Sequence, residues 1–170
     1  MLTSLRTLIA LPLLLAAACT DPDADGPDTP RSALPAPLAG DWFTGTLSSI
    51  QYYDRDTGQW QNPSGSGFYF VFDADGDYET GAVIDSTVGG CTLRLLGNET
   101  GTATLAGDRL TLYRHRITVH VTDSCGDDGE RTQGESVRDV SWSVDVDGGG
   151  LEWLSLEHGD GSVERYRRWN

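Results

Sequence analysis

Residues 140–156 read VSWSVDVDGGGLEWLSL, and this stretch decides the fold. Val140, Trp142, Val144 and Val146 alternate strictly with Ser141, Ser143 and Asp145. A period of two with one apolar face is the mark of a half-buried β-strand. Asp147-Gly148-Gly149-Gly150 supplies turn chemistry, and Leu151 to Leu156 resumes an extended pattern, so the segment predicts a hairpin.

The same grammar repeats on both sides. Phe68-Tyr69-Phe70-Val71-Phe72 is β-prone at every position, Asp73-Ala74-Asp75-Gly76-Asp77 turns it, and Tyr78 to Ile84 continues. Thr100 to Leu105 and Leu110 to Val121 flank Ala106-Gly107-Asp108, and His158-Gly159-Asp160-Gly161 leads into Val163 to Trp169. The expected strands are roughly 41–53, 66–72, 77–84, 91–96, 101–106, 109–122, 137–146, 151–157 and 162–169. Successive hairpins with one apolar face must close or stack to hide that face and their edges. The expectation is an all-β, antiparallel up-and-down barrel of about eight or nine strands, with a β-sandwich as the alternative. Along 109–122, Leu110 and Leu112 share one phase and Ile117, Val119 and Val121 the other, which predicts a bulge near Tyr113–His115.

The N-terminus has a different texture. Arg6 precedes an uncharged run, Thr7 to Ala18, that is apolar from Leu8 onward and ends at Cys19. A charged start, an apolar middle and small residues before a cleavage point describe a secretion signal. The apolar part is about a dozen residues, short of the roughly 20 a bilayer span needs. Leu15-Ala16-Ala17-Ala18-Cys19 resembles the lipobox of bacterial lipoproteins. That resemblance implies a signal peptide over 1–18, a palmitate-type lipid on Cys19 and residence in the cell envelope. With Thr20 rather than Asp after the cysteine, it implies the outer membrane if the host is Gram-negative. A plain secretory signal cut near Ala18 is the alternative. Residues 20–39 hold five of the seven prolines and read as an extended tether, which at about 3.1 Å per residue would reach roughly 60 Å. The expected divisions are thus 1–18 signal, 19–39 lipidated Cys19 and tether, and 40–170 barrel domain, one core's worth of chain.

Composition limits the partners. The chain has 12 basic residues, all arginine, and 26 acidic ones, and loss of Arg6 with the signal leaves 11 − 26 = −15. Such a charge argues against nucleic acid and against electrostatic docking on anionic lipid. Cys91 and Cys125 remain once Cys19 is set aside, and an even pair in an exported domain reads as a disulfide.

Gly40-Asp41-Trp42 at the first strand and Arg165 and Arg167 in the last resemble the lipocalin family. The Phe72-Asp73-x-Asp75-Gly76-x-Tyr78 hairpin is similar to one common in small bacterial lipocalin-like lipoproteins. The resemblance implies a barrel over 40–170 with Trp42 across a closed end, covered by Arg165 or Arg167.

Chemistry-bearing residues are sparse in the sequence. Asp73, Asp75 and Asp77 depart from the EF-hand spacing and read as a turn, so neither metal nor cofactor is expected. His115 and His120 are five apart and would face opposite sides of a regular strand. Pro63-Ser64-Gly65-Ser66-Gly67 shares only composition with a nucleophile elbow. A catalytic role is therefore not expected, although a pocket joining His115 or His120 to a carboxylate would point to one. The expectation is a membrane-anchored, non-catalytic binding module for a small apolar ligand, with Tyr69, Trp142 and Trp153 as candidate lining. The alternative is an inhibitor of a cationic secreted hydrolase such as lysozyme, steered by the acidic body.

Overall fold

The computed structural model describes residues 29–169. The signal sequence and Cys19 lie outside them. Every regular element among the described residues is a strand: β1 (Gly40–Gly45), β2 (Tyr53–Asp54), β3 (Gln59–Trp60), β4 (Gly67–Phe72), β5 (Asp77–Val88), β6 (Cys91–Ala106), β7 (Arg109–Asp123), β8 (Gly129–Gln133), β9 (Ser136–Val146), β10 (Glu152–His158) and β11 (Val163–Arg168).

The hairpins close into one barrel. The antiparallel order is β1-β4-β5-β6-β7-β9-β10-β11, and β11 returns to β1 through Trp42↔Arg168 and Phe43↔Arg167. Eight strands joined by sequential connections make the up-and-down, lipocalin-like topology and leave no open edge around the ring. The interior is packed by Phe70, Phe72, Tyr78, Leu112, Val140 and Leu154, with Phe70 stacked on Phe72 and edge-on to Tyr166.

Two sequence-level divisions change. The segments expected at 91–96 and 101–106 are a single strand, β6, and the first strand ends at Gly45 rather than 53. Joining the two halves of β6 places Cys91 and the chain after β7 at the same end of the barrel. Cys91 and Cys125 are disulfide-bonded, 5.5 Å apart at Cα across 34 residues. The bulge also exists. The β6–β7 register shifts between Thr100↔Arg116 and Gly101↔Arg114, leaving His115 as the extra residue. Leu110 and Leu112 before it and Ile117, Val119 and Val121 after it all face inward.

The expected tether is partly structure. From Thr29 the chain straps the barrel: Ser32 N–H donates to Ala103 O and Leu34 N–H to Ala74 O. Leu34 and Leu38 are buried in the main core. The folded unit therefore starts before Gly40, because prolines that suit an extended linker equally suit an extended strap carrying two apolar anchors.

Residues 46–66 form a flap outside the barrel. Its β2–β3 hairpin and Leu47, Ile50 and Tyr52 cover a second core made by Phe43, Tyr69, Val71, Val83 and Leu96 on the outer face. Gly81 permits this packing, since a Cβ there would stand 2.3 Å from the Tyr69 ring.

Candidate ligand site in the barrel mouth

The two ends of the barrel differ. One is plugged by Trp42, which is fully buried and donates its indole N–H to Leu38 O at 2.8 Å. The guanidinium of Arg168 lies 4.1 Å above the Trp42 ring and donates to Ala39 O and Pro37 O, and Glu152 pairs with it. The arginine that covers Trp42 is thus Arg168. Arg165 lies over Trp153 and Arg167 over Phe43, both outside the barrel. The sequence placed the arginine by strand, and alternation along β11 decides which of the three neighbours the Trp42 plug.

The other end rises on one side only. β5 pairs with β6 up to Val88↔Cys91, whereas β4 leaves β5 at Gly67↔Val83. β8 continues the β7 pairing in the register that β9 holds lower down, from Ile117↔Gln133 to Val121↔Gly129. The upper parts of β5 to β8 therefore form a four-stranded wall standing above the rim, tied at its top by the disulfide.

Side-chain alternation makes this wall two-faced. The outer face carries Asp85 paired with Arg94, Thr87 beside Thr92, and Thr118 near Thr132. The inner face, in phase with the core below, carries Ile84, Val88, Leu93, Leu95, Val119 and Val121, with Ser86 among them and Arg131 and Gln133 of β8 along its edge. Ile84, Leu93 and Val88 are exposed, Val88 at 75%. Hydrocarbon that a monomer leaves uncovered in one patch marks a contact surface.

Below the wall a cavity of about 240 Å³ opens into the barrel, lined by Phe68, Phe70, Ala82, Gly97, Ile117 and Tyr166, with Glu99, Glu164 and Arg138 as its charged groups. Glu99 is only 7% exposed at its side chain. Its carboxylate accepts from Tyr78 OH at 2.9 Å and Arg138 Nη2 at 2.9 Å, and Arg114 Nη1 stands 3.8 Å away. Arg138 Nε is buried without a hydrogen-bond partner among the described residues. At the rim, Glu164 accepts from Tyr166 OH and faces His158 at 3.4 Å.

The aromatic residues expected to line a ligand site are elsewhere. Tyr69 points outward beneath the flap, Trp142 packs on the main core beside the β6–β7 turn, and Trp153 stacks outside and donates to Asp147. Each lies one phase or one barrel end away from the cavity. Glu99 did not stand out in the sequence, because the strands expected at 91–96 and 101–106 leave it in the connection between them. A continuous β6 would have shown Glu99 in phase with Leu95, Gly97 and Ala103.

Buried polar groups also lie under the flap. Glu79 accepts from Tyr69 OH at 2.5 Å and Asn98 Nδ2 at 2.9 Å, and Arg55 of the flap reaches its other oxygen at 3.4 Å. Burial raises the Glu79 carboxyl above its ordinary value, despite these bonds. It pushes the Tyr69 phenol further up as well, with the Glu79 charge adding to the effect.

His115 and His120 share clefts with carboxylates, the sign that would point to catalysis, but among the described residues neither ring hydrogen-bonds a carboxylate, so neither cleft holds a formed acid–base pair. His115 sits with Asp73, Asp77 and Glu79, and its Nε2 contacts Thr29 Oγ1 at 2.5 Å. Burial lowers its pKa. His120 shares an open groove with Asp85, Asp123 and Asp128, its ring against Trp60 and its Nδ1 3.9 Å from Glu130. Among the described residues, no group of three or more histidine, cysteine or carboxylate side chains is placed to hold a metal ion. The Asp73–Asp77 segment forms a turn, with Asp73 N–H bonded to Asp77 O and Gly76 N–H to Asp73 O.

No protein-family model matches this chain, and no curated protein matches it.

Proposed function

We propose that this protein is a non-catalytic binding module that takes a small apolar or amphipathic molecule in its barrel mouth. The observation that carries the reading is the junction of the 240 Å³ cavity with the uncovered apolar inner face of the wall. Enclosed ligand pockets usually run from about 300 to 1,000 Å³. A cavity this small holds one end of a ligand, and the wall offers a surface for the rest. An eight-stranded barrel is just wide enough for such use.

Gly97 provides the test. It lines the cavity, and a Cβ there would meet Ala82 no closer than 3.8 Å, an ordinary contact. Gly97→Phe should fill the cavity while the barrel still folds. Wild type should enhance the fluorescence of the neutral apolar probe N-phenyl-1-naphthylamine, and Gly97→Phe should not. Equal enhancement by both would defeat the reading.

The signal sequence and Cys19 support a place in the cell envelope on a lipid anchor, and the outer membrane if the host is Gram-negative. Labelled palmitate should enter the wild-type chain and not Cys19→Ser. Equal membrane association of the two forms would remove the anchor. The alternative role, inhibition of a cationic hydrolase, draws on net charge alone, whereas the ligand reading draws on a built cavity.

A further inference from the structure

The strand register places one carboxylate at the foot of the wall. Glu99 is in the inner phase of β6, opposite Ile117 of β7, and the bulge at His115 turns Arg114 to the same face just below it. The charges here balance. The cavity's own lining carries Glu99 and Glu164 against Arg138, and Arg114 Nη1 stands 3.8 Å from Glu99. The hydrogen bonds do not balance. The Glu99 side chain is only 7% exposed. Its Oε1 takes both Tyr78 OH and Arg138 Nη2, each at 2.9 Å, while Oε2 accepts no hydrogen bond among the described residues. A buried acceptor left without a donor is costly, and a charged one more so. Above Glu99 the track is hydrocarbon. Gly97↔Val119 and Leu95↔Val121 are the next inward-facing pairs, a rise of roughly 13 Å at about 3.3 Å per residue.

We infer that the mouth takes a neutral single-chain amphiphile with a hydroxyl head, seated head-down with its O–H on Glu99 Oε2 and its chain laid along Gly97, Val119, Leu95 and Val121. The inference rests on the ligand-binding reading above and specifies the ligand's chemistry. A hydroxyl supplies the missing donor without adding charge, and an O–H on a buried carboxylate is among the stronger hydrogen bonds. An anionic head would bring negative charge against Glu99 and Glu164. An ammonium head has donors, but it would stand against the guanidinium groups of Arg138 and Arg114, 2.9 and 3.8 Å from the Glu99 oxygens. An ether has no hydrogen to give, so it would shut water away from Oε2 without supplying a donor. The cavity, at about 240 Å³, is too small for a second chain beside the first.

Calorimetric titration at neutral pH with 1-octanol, its isomer heptyl methyl ether, octanoate and octylammonium tests this. The alcohol should bind roughly ten- to a hundredfold more tightly than the ether, and more tightly than either ion. Glu99→Gln keeps a carbonyl for Tyr78 and Arg138 and turns the free position into an N–H donor, which an ether oxygen meets as well as a hydroxyl does. The alcohol's advantage over the ether should therefore disappear in that variant, with circular dichroism reporting that it is folded. If Glu99→Gln does not fold, Gly97→Phe takes its place, and 1-octanol should fail to bind it. Equal binding of 1-octanol and the ether by wild type would overturn the head-group assignment and leave the binding reading standing, and so would tighter binding of either ion. A preference that survives in Glu99→Gln, or undiminished binding of 1-octanol by Gly97→Phe, would overturn it too, by placing the hydroxyl elsewhere. Failure of all four to bind would overturn the inference, and failure of N-phenyl-1-naphthylamine as well would overturn the binding reading itself.

Discussion

At the end closed by Trp42, every strong interaction looks inward. The indole is buried, its N–H is bonded, Arg168 covers its face, and the strap brings Leu34 and Leu38 over the opening. At the other end the same sheet, with the same alternation, presents hydrocarbon to open space, and Arg138 Nε has no hydrogen-bond partner among the described residues. The contrast shows where this chain places its stability and where it leaves stability unclaimed. A barrel needs only one plugged end to be held shut, and the other is then free to carry binding surface. Among the described residues the difference arises from strand length: β5 to β8 outrun their neighbours, and none of these residues packs over their upper inner faces.

Trp42→Ala should break the contrast most severely. It removes a fully buried indole, a hydrogen bond and the stacking partner of Arg168. Large-to-small changes of this kind cost about 3–5 kcal/mol. Urea unfolding of the soluble body should show a loss in that range. A loss near that of a surface substitution would mean the plug is not the stabilising end.

Cys91→Ser with Cys125→Ser should come next. A bridge spanning 34 residues is worth about 3–4 kcal/mol in the chain-entropy picture. Because the bridge ties the top of the wall, its loss should act unevenly. Amide exchange should accelerate in the upper parts of β6 and β7, while protection near Trp42 stays close to wild type. Uniform acceleration would mean that the two ends unfold as one.

Leu95→Ala measures the open end directly. Leu95 lies on the half-exposed inner face of the wall, unlike Leu112 in the sealed core. Leu112→Ala should cost about 2–5 kcal/mol, whereas Leu95→Ala should cost under about 1 kcal/mol yet weaken binding of N-phenyl-1-naphthylamine several-fold. Equal stability losses would show that the wall is packed rather than waiting.

The sequence exposed some of this design and hid the rest, for physical reasons. The hairpin order was legible because turn chemistry and alternation are local. So was the bulge, because Leu112 and Ile117 stand in opposite phases. What failed depended on distance. Gly97 fell in the expected break between two strands, yet it lies inside β6 with Gly101, where glycine admits a cavity at the first position and the close backbone of Tyr113 at the second. Pro30, Pro35 and Pro37 read as a free tether because proline content does not say whether an extended segment is docked. Phe68 to Phe72 read plainly as a strand, but which phase faced the barrel could not be read, since the flap buries the second phase as well. Tyr69 and Phe70 look alike in sequence and serve different cores.

The smallest predicted effect concerns that second core. Glu79 is buried beneath the flap, and desolvation raises its carboxyl above the ordinary value of 4.5. Tyr69, Asn98 and Arg55 hydrogen-bond or pair with it, and nearby Asp73 adds like charge. Between the ordinary value and the raised one, the native state holds a proton that the unfolded chain has released. Stability must therefore fall as pH rises through that window. Glu79→Gln keeps the size, an acceptor for Asn98 and a partner for Tyr69, and removes the titration. Its unfolding free energy should vary less with pH than wild type across this window, with a residual slope from Asp73, whose carboxyl burial also raises. Arg55 loses its charge partner in the variant, but it is half-exposed and rehydrates at little cost. A variant with the same pH slope as wild type would show that Glu79 titrates as it does in the unfolded chain. The flap would then be held by Tyr52, Leu47 and Trp60 packing, with no contribution from the proton.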